Sequence, residues 1–323
     1  MATAKGSDVQ LLLVEEATWG TTPATPSAYK IPVSGIGGDW YKRNLIDNPE
    51  LRANRNPQAP VRGNVQVNGS FQHPLHLDAF GWLMKHGIGT PVTSTPSTGL
   101  YQHLSKMGFS GATAGDLPVG LSFEVGFTDI GEYHLYSGCK INTLAFNATS
   151  EGVVICDVGI IGQDFTRAAT SCDATPTSYT SSPIDHFLGT IEEGGAPIAY
   201  VSDVSMSINN NLDSSLYVVG SAGQLGDLPE GVGMVSGSLT ALFQSDTLLA
   251  KGRDNTESSL MLNWASGTQS LQLDVPELIY EPSSPTVSGP AGVKVTMNYR
   301  GYYTNHATAS AIKATLINLV ASY

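Results

Sequence analysis

One sequence pattern occurs twice in this chain, about half a chain apart. The first copy is Val-Gln-Val-Asn-Gly-Ser-Phe at 65–71, followed by the apolar run 75–84. The second is Gly-Met-Val-Ser-Gly-Ser-Leu-Thr-Ala-Leu-Phe at 233–243, followed by a short helical candidate at 246–251. Each copy predicts a strand and then a helix, after a long polar loop. We interpret the pattern as a duplicated small β-rich unit, which is more typical of assembly than of catalysis.

The chain is long enough for two such units. It has 323 residues, against roughly 100–200 residues per domain. Its 35 Gly and 18 Pro residues predict many turns and short strands. We therefore expect a mainly β protein built of two tandem β-sandwich or barrel units, each with one flanking short helix and a long loop. The first domain is predicted at 1–170, a polar linker at 171–195 and the second domain at 196–323.

The charge of the chain is low in density and negative in sign. Charged residues make up 14% of the sequence, which suits a protein that buries its surface against copies of itself; a weakly charged monomeric β-sandwich is the alternative. The net charge is −12. An acidic surface repels nucleic-acid phosphate, so a module that grips DNA or RNA is not expected. The same repulsion is useful where a polyanion must pass without sticking.

The cysteines and the N-terminus predict a protein made in a reducing cytoplasm. Cys139, Cys156 and Cys172 are odd in number and match neither a disulfide framework nor a zinc pattern. The N-terminus has no basic segment followed by an apolar core, so no signal peptide is predicted. No apolar run approaches the roughly 20 residues of a membrane span, so no membrane is expected as a partner.

Two long loops are the candidate interaction segments. The loop at 42–62 is rich in basic residues, namely Lys42, Arg43, Arg52, Arg55 and Arg62. On an acidic protein this bias predicts docking onto an acidic neighbour; a solvated mobile loop is the alternative. The loop at 209–231 carries a second candidate set: Asn209, Asn210, Asn211, Asp213, Asp227 and Glu230.

The segment between these loops contains the best helix candidate. Residues 75–86 carry a broad apolar stripe at helical spacing. His73-Pro74 marks the helix start and Gly87 its end. The Thr/Pro/Ser-rich stretch at 90–99 is predicted to be an exposed loop.

The chain carries no constellation that predicts catalysis, a cofactor or a metal. His73-x-x-His76 has no Glu in an HExxH arrangement. The glycines at 35–38 lack the spacing and the helix of a pyrophosphate loop. The acidic pairs at 15–16 and 192–193 are adjacent, which is typical of a solvated turn and not of an acid/base pair. We therefore predict that the protein is not an enzyme.

Several segments together resemble the tail tube proteins of long-tailed bacteriophages. The stretch Glu-Ala-Thr-Trp-Gly-Thr-Thr-Pro at 16–23 is similar to the opening of many members. Ser-Met-Ser-Ile-Asn-Asn-Asn-Leu at 205–212 and the segment 231–251 are similar to their second half, and Gly-Cys-Lys-Ile-Asn-Thr-Leu at 138–144 also resembles the family. The ordered combination covers most of the chain.

The resemblance implies a structural virion protein. Its members form a β-sandwich or barrel flanked by a helix, join edge to edge into rings of six units, and stack into a hollow tube with an acidic lumen that conducts double-stranded DNA during ejection. Assembly in the host cytoplasm is implied. So are a tape measure protein inside the tube, and terminator and distal tail or baseplate proteins at its ends. The long loops would then make the contacts between rings.

The duplication adds a prediction about the number of chains in a ring. If both halves are tube units, three chains supply six units and give a trimer with pseudo-sixfold symmetry. A hexamer in which one half builds the tube and the other decorates it is the alternative. Two other classes stay open: a carbohydrate-binding or adhesin β-sandwich with aromatic platforms at Trp40-Tyr41 or Tyr302-Tyr303, and a hydrolase on a β-scaffold.

Overall fold

Strands dominate the fold, as the turn-rich sequence predicts. The computed structural model describes residues 3–108, 116–149, 151–198, 200–285, 287, 289–290 and 292–323. The elements of the first half are β1 (Val9–Glu16), β2 (Tyr29–Ile31), β3 (Gly35–Ile46), β4 (Val61–Pro74), α1 (Leu77–Gly87), β5 (Val92–Ser97), β6 (Leu100–Lys106), β7 (Gly120–Phe127), β8 (Glu132–Ala148), β9 (Ile155–Gly162) and β10 (Asp164–Ala168).

The remaining elements follow in the same mainly β pattern. They are β11 (Thr177–Ser178), β12 (Gly189–Glu193), β13 (Ala196–Pro197), β14 (Val201–Asn209), β15 (Met234–Leu242), α2 (Thr247–Arg253), β16 (Ser258–Ser266), β17 (Gln269–Tyr280), β18 (Lys294–Gly301) and β19 (Lys313–Asn318). Single 3₁₀ turns lie at Gly6–Asp8 and His186–Leu188. The expected mainly β class is confirmed.

Eight of these strands form one continuous antiparallel sheet that runs through both halves of the chain. Its order is β3-β4-β9-β8-β14-β15-β18-β17. The two halves join where β8 pairs with β14, from Thr143 opposite Asn209 to Ala148 opposite Val204. This central junction makes the second half a direct extension of the first half's sheet.

Two long strands of this sheet, β8 and β17, also pair with further strands along their N-terminal portions. The first part of β8 pairs with β7, which pairs with β1, and β10 lies on the other side of β8. The first part of β17 pairs with β16, which pairs with β12, and β19 lies on the other side of β17. The hairpin of β5 and β6 adds to β19 and so links the halves a second time.

The strands of the two halves pair in matching orders. In the first half the order is β3-β4-β9-β8-β7-β1, and in the second half it is β14-β15-β18-β17-β16-β12. The two copies of the repeated sequence, in β4 and β15, occupy the same place in this order. Each is followed by its helix, α1 or α2.

One hydrophobic core serves both halves. The inward residues of β14 (Val204, Met206 and Ile208) are buried in the same cluster as Phe71 and Phe146 of the first half and Leu262 of the second. The alternation of buried and outward residues along these strands is the period of two expected for a sheet with one covered face.

Helix α1 closes over this core. It begins two residues after the predicted start at 75 and ends at Gly87, and most of its side chains are buried. Tyr323 packs edge-on against Trp82, with 5.5 Å between the ring centroids, and its hydroxyl donates to the Asp78 carbonyl oxygen at 2.6 Å. A Cβ on Gly81 would collide with the Tyr323 ring, so this glycine permits the close approach.

Two predicted loops have different bounds in the structure. The loop predicted at 42–62 is wrong at both ends, since β3 extends to Ile46 and β4 begins at Val61, which leaves 47–60 as the connection. The loop predicted at 90–99 is wrong because it contains β5. The end of β3, at 41–46, and the whole of β5 are largely exposed on both faces, so neither shows the apolar alternation by which strands are recognised.

The predicted linker at 171–195 contains strands that pair with both halves. Thr177 and Ser178 form β11 beside β2, and Gly189–Glu193 form β12 beside β16. Ile184 within it is buried, and its backbone N–H donates to the Leu75 carbonyl oxygen at 2.9 Å. The segment is polar in composition but packed along much of its length.

Candidate assembly surfaces

The outward face of the eight-stranded sheet is covered by small polar side chains. Its opposed pairs are Ser70 with Gly159, Thr143 with Asn209, Ser207 with Ser236, and Ser238 with Asn298. Side-chain hydrogen bonds run across the strands at 2.9 Å between Ser205 and Ser238, between Thr240 and Thr296, and between Gln72 and Asp157. The face is therefore a continuous, hydrogen-bonded polar surface that spans both halves.

The charged side chains on this polar face are few and of both signs. The acidic ones are Asp39, Asp157, Asp203 and Glu281, and the basic ones are Lys42, Lys294 and Arg300. Arg300 pairs with Glu281 at 3.0 Å, and both side chains are solvent-exposed. Most of the chain's negative charge therefore lies away from this face.

The two outermost strands of the sheet have open edges. In the described part of the chain, β3 pairs only with β4. At the other end, the ladder of β17 and β18 continues to Glu281, whose N–H donates to the Asn298 carbonyl oxygen at 2.8 Å. Residues 282–284 beyond it are exposed. An open strand edge presents unpaired backbone groups to a partner.

The repeated sequence places a glycine at the same point of β4 and of β15. A Cβ on Gly69 would lie 2.6 Å from the indole ring of Trp40. A Cβ on Gly237 would collide with the Ser205 carbonyl oxygen and would lie 2.5 Å from the Tyr299 hydroxyl. Each glycine therefore makes room for a buried aromatic ring on a neighbouring strand. Tyr299 uses that room to donate from its hydroxyl to the Ser205 carbonyl oxygen at 2.9 Å.

A second feature common to both halves is a lysine in the last turn of the helix, paired with a glutamate on an outer strand. Lys85 of α1 contacts Glu15 of β1 at 2.6 Å, and Lys251 of α2 contacts Glu193 of β12 at 2.7 Å. Both lysines lie in the negative half of the helix dipole. Glu193 also accepts a hydrogen bond from Ser258 on the adjacent strand at 2.5 Å.

The basic residues of the first candidate set are divided between strands and loop. Lys42 and Arg43 lie on β3 and Arg62 lies on β4, whereas Arg52 and Arg55 lie in the connection 47–60. Arg52 pairs with Glu50 at 2.7 Å, and Lys42 lies 3.5 Å from Asp39. Arg55 and Arg62 are exposed.

Arg43 connects strands β3 and β4 to the second candidate loop. Its guanidinium donates to the Gly63 carbonyl oxygen at 3.0 Å and also to the carbonyl oxygen of Ala222 in the second loop. The backbone N–H of Val65 donates to Gly223 at 2.7 Å, and the Tyr217 hydroxyl donates to Val65 at 3.0 Å. The second loop therefore packs against β3 and β4 at the end of the sheet from which the connection 47–60 also projects.

The second candidate set is partly structural. Asn210 is buried, and its side-chain amide donates to the carbonyl oxygens of Gly87 at 3.0 Å and Ile141 at 2.9 Å. Asn209 caps the turn by accepting from the Asn211 N–H at 2.8 Å, and Asn211 donates to Val232 at 2.6 Å. These three residues shape the base of the loop.

The acidic members of that set lie further along the loop. Asp213 accepts two hydrogen bonds from Ser215, which lower the pKa of its carboxyl group. Asp227 accepts from the Leu228 N–H at 2.8 Å. Glu230 contacts Lys140 at 2.6 Å. Exposed apolar side chains accompany them, including Val218 and Val219.

The sequence stretch at 16–23 is organised by the buried carboxylate of Glu16. The solvated turn predicted for the acidic pair at 15–16 is therefore wrong, since both residues lie in strand β1. Glu16 is 5% exposed and accepts hydrogen bonds from the Ser122 hydroxyl at 2.6 Å, the Gly138 N–H at 2.9 Å and the Gly20 N–H at 2.7 Å. Burial raises the pKa of Glu16, and these three hydrogen bonds oppose that rise. The carboxylate ties the N-terminal turn to β7 and β8.

The histidine pair is held by backbone oxygens. His73 Nδ1 bonds to the Pro32 carbonyl oxygen at 2.7 Å, and His76 Nδ1 bonds to that of Ser181 at 2.6 Å. Burial lowers the pKa of His73 to about 4. In the described part of the chain, no group of three His, Cys, Asp or Glu side chains is placed to hold a metal ion.

The aromatic pairs considered as sugar platforms are largely engaged in the fold. Trp40 is 8% exposed and lies against Gly69. Tyr41 packs on Phe165 at 5.0 Å between ring centroids, and the Tyr302 hydroxyl donates to Glu257 at 2.6 Å. Among the described residues, no helix is long and apolar enough to cross a membrane.

Two comparisons with known proteins bear on this arrangement. The sequence profile of a family described as phage tail tube protein matches residues 6–301. A search of curated proteins found no match. The family match covers both copies of the repeated sequence, both helices and all eight strands of the continuous sheet.

Proposed function

Because the chain belongs to the phage tail tube protein family, we propose that it assembles with itself into stacked rings that form a hollow tube, through which double-stranded DNA passes during ejection. The observation that carries this proposal is the eight-stranded sheet. One of its faces is apolar and covered, the other is polar and hydrogen-bonded, and both of its outer edges are open. Such a sheet removes its open edges by closing into a barrel with copies of itself.

The polar face would line the lumen. Side chains that are small, neutral and bonded to one another offer DNA few cations to bind, and attraction to phosphate would retard its passage. Asp157 and Asp203 are acidic candidates to face the DNA, together with Asp39 and Glu281, which pair with Lys42 and Arg300 on the same face. The lumen of this protein would therefore repel DNA weakly, through a small number of carboxylates on a largely neutral wall.

Each half of the chain would supply one tube unit, so that three chains build a pseudo-sixfold ring. Three observations support this: the matching strand orders, the matching glycines Gly69 and Gly237, and the matching ion pairs made by Lys85 and Lys251. The alternative is a hexamer in which one half decorates the tube. The junction of β8 with β14 favours the trimer, since it places the two halves side by side in one sheet.

The two loops at the common end of the sheet would contact the next ring. The first, 47–60, carries Arg52 and Arg55, and the second carries Asp213, Asp227 and Glu230. Within the tail, the tape measure protein would occupy the lumen before DNA, and terminator and distal proteins would cap the ends. The assembled protein would be a virion component that is put together in the host cytoplasm.

Electron microscopy of the purified protein tests this function. We expect tubes or rings with a central channel, and end-on views averaged without imposed symmetry to show three chains per ring. Six chains per ring would overturn the trimer and leave the tube intact. A protein that stays monomeric at every concentration and ionic strength would overturn the tube itself.

A further inference from the structure

The internal junction between β8 and β14 is a template for a junction between chains. It joins β8, the last strand that the first unit contributes to the eight-stranded sheet, to β14, the first strand that the second unit contributes. The strand equivalent to β8 in the second unit is β17, and the strand equivalent to β14 in the first unit is β3. Both lie at the open ends of the eight-stranded sheet. Seven antiparallel pairings separate them, so a new pairing of β17 with β3 of another copy would again be antiparallel.

The repeated glycines define which residues of the first unit are equivalent to which residues of the second. Gly69 lies opposite Gly38 and Ile160, and Gly237 lies opposite Met206 and Tyr299. One strand further, Ile160 lies opposite Ile141, and Tyr299 lies opposite Tyr280. After a one-residue bulge that follows Ile141, Thr143 corresponds to Glu281, Leu144 to Pro282 and Ala145 to Ser283. On the other side, Ser207 corresponds to Asp39.

One residue on the open edge departs from the template. The Glu281 N–H donates to Asn298 in β18, and the direction of backbone groups alternates along a strand. The backbone at position 282 therefore faces the open edge, where Pro282 has no N–H to donate. Leu144, at the equivalent place in β8, has one. Proline on an exposed edge is a recurrent device against unwanted pairing.

We propose that the edge formed by residues 281–285 receives β3 of a second copy of this chain, in the register of the internal junction, and that Pro282 keeps this junction weaker than the internal one. The proposal rests on the proposed assembly into rings and names the edges that close them. The contact is head-to-tail, and such contacts close into rings when the rotation permits. The weaker junction keeps free chains from pairing before the tail is built.

A cysteine pair tests the register directly. In the predicted junction Asp39 lies opposite Ser283, as Ser207 lies opposite Ala145 within the chain, and residues directly opposed on antiparallel strands are within disulfide reach. The variant D39C/S283C, oxidised as assembled tubes, should give covalent dimers and trimers on a non-reducing gel. The internal pair A145C/S207C should cross-link within one chain and serves as the positive control.

The native thiols do not interfere with this experiment. Cys139 and Cys156 are buried, and burial raises the pKa of both thiols. Burial together with the nearby Glu124 carboxylate raises the pKa of Cys172 to about 12. The negative control is D39C/S245C, since Ser245 is exposed and lies outside the predicted junction. Tubes that give no intermolecular band, or equal bands for the control, would overturn the proposal; absence of tubes in the unmodified protein would instead overturn the proposed function.

A second variant tests the role of Pro282. P282V restores one backbone donor at the junction, so the concentration at which rings first form should fall by about tenfold, the effect of one net hydrogen bond. The matched control is P285V. Residue 285 lies three positions beyond Pro282, and because backbone groups alternate in direction along a strand, its backbone nitrogen faces away from the open edge. An unchanged threshold for P282V, or an equal fall for both variants, would contradict the assigned role.

Discussion

Gly69 lies directly against the indole ring of Trp40, on the neighbouring strand of the sheet. A Cβ at this position would approach two ring atoms to 2.6 Å. Trp40 is itself buried and packs at 4.9 Å between ring centroids on Tyr136. The repeated glycine is therefore a packing requirement of the unit, and Gly237 meets the same requirement against Tyr299 in the second half.

We expect Gly69→Ala and Gly237→Ala each to destabilise the protein by about 1–3 kcal/mol. The first substitution forces the Trp40 ring out of its place, and the second collides with the Ser205 carbonyl oxygen as well as with Tyr299. Chemical denaturation followed by tryptophan fluorescence measures the change. Gly6→Ala is the control, because a Cβ there meets nothing within 4 Å. Equal stability of the Gly69 variant and the control would show that the ring can move without cost.

Stability should fall in acid because of the contact between β1 and α1. Burial alone would raise the pKa of Glu15, but hydrogen bonds from His86 and Lys85 lower it from 4.5 to about 2. A carboxylate whose pKa is lowered by folding stabilises the protein above its unfolded pKa and loses that contribution as the pH falls through the folded one. We expect Glu15 to contribute about 1–2 kcal/mol above pH 4.5, allowing for solvent screening of a partly exposed group.

Denaturation midpoints measured from pH 6 to pH 2 test this contribution. The unmodified protein should lose stability between pH 4.5 and 2, and Glu15→Gln should be less stable at pH 6 and lose less over the same range. His86 adds to the acid sensitivity of the unmodified protein, because burial lowers its pKa and folding then disfavours its protonation. Parallel curves for the two proteins would show that Glu15 carries no pH-dependent stability.

Much of the fold could be predicted from sequence where side chains alternate or follow helical spacing. The strand at 65–71 and helix α1 both bury one face, and a buried face leaves a periodic apolar pattern. Strand β3 was missed because it has glycines at 35, 37 and 38 and exposed side chains at 41–46, which leave no such pattern. Its conformation depends on pairing with β4, which is a tertiary contact.

The assembly surface was less predictable than the fold. The sequence indicated two long loops. It did not indicate that Arg43 links strand β3 to the second loop, or that Asn210 is buried at the base of that loop. Burial of the polar groups Glu16, Glu124 and Glu277 was also not foreseen, because composition treats charged residues as exposed. The Glu-Ala-Thr-Trp-Gly stretch was the one available signal for Glu16. The pairing of β8 with β14 left no local signal at all.

Positive charge placed on the polar face should change how tubes interact with DNA. Ser207 and Ser236 are directly opposed on β14 and β15, so S207K/S236K would put a ring of lysines into the proposed lumen. We expect tubes of the variant to retain short duplex DNA and the retention to fall steeply with salt, because lysine–phosphate contacts release counterions.

Binding of a labelled duplex to sedimented tubes measures this retention. The control is T166K/A168K, which adds the same number of lysines on the exposed strand β10, away from the polar face. If the control retains as much DNA as S207K/S236K, the polar face does not line the channel. Retention that is confined to the serine variant assigns the lumen to this face.

Loss of the loop arginines should shorten tubes without unfolding the chain. Arg52 and Arg55 lie in the exposed connection 47–60, and Arg52 pairs with Glu50 in the same loop. Exposed pairs of this kind contribute about 0–1 kcal/mol to stability, so R52Q/R55Q should keep its denaturation midpoint. If these side chains contact the next ring, tubes of the variant should be shorter and should dissociate at lower salt.

Arg43→Gln is the comparison that separates stacking from folding. Arg43 is half-buried and donates to backbone oxygens of β4 and of the second loop, so its loss should lower the free energy of unfolding by about 1–2 kcal/mol. We therefore expect opposite signatures: a stability change for Arg43→Gln, and a change in tube length at constant stability for R52Q/R55Q. Unchanged tube length in R52Q/R55Q would assign the contact between rings to other residues of the two loops, such as the exposed Val218 and Val219.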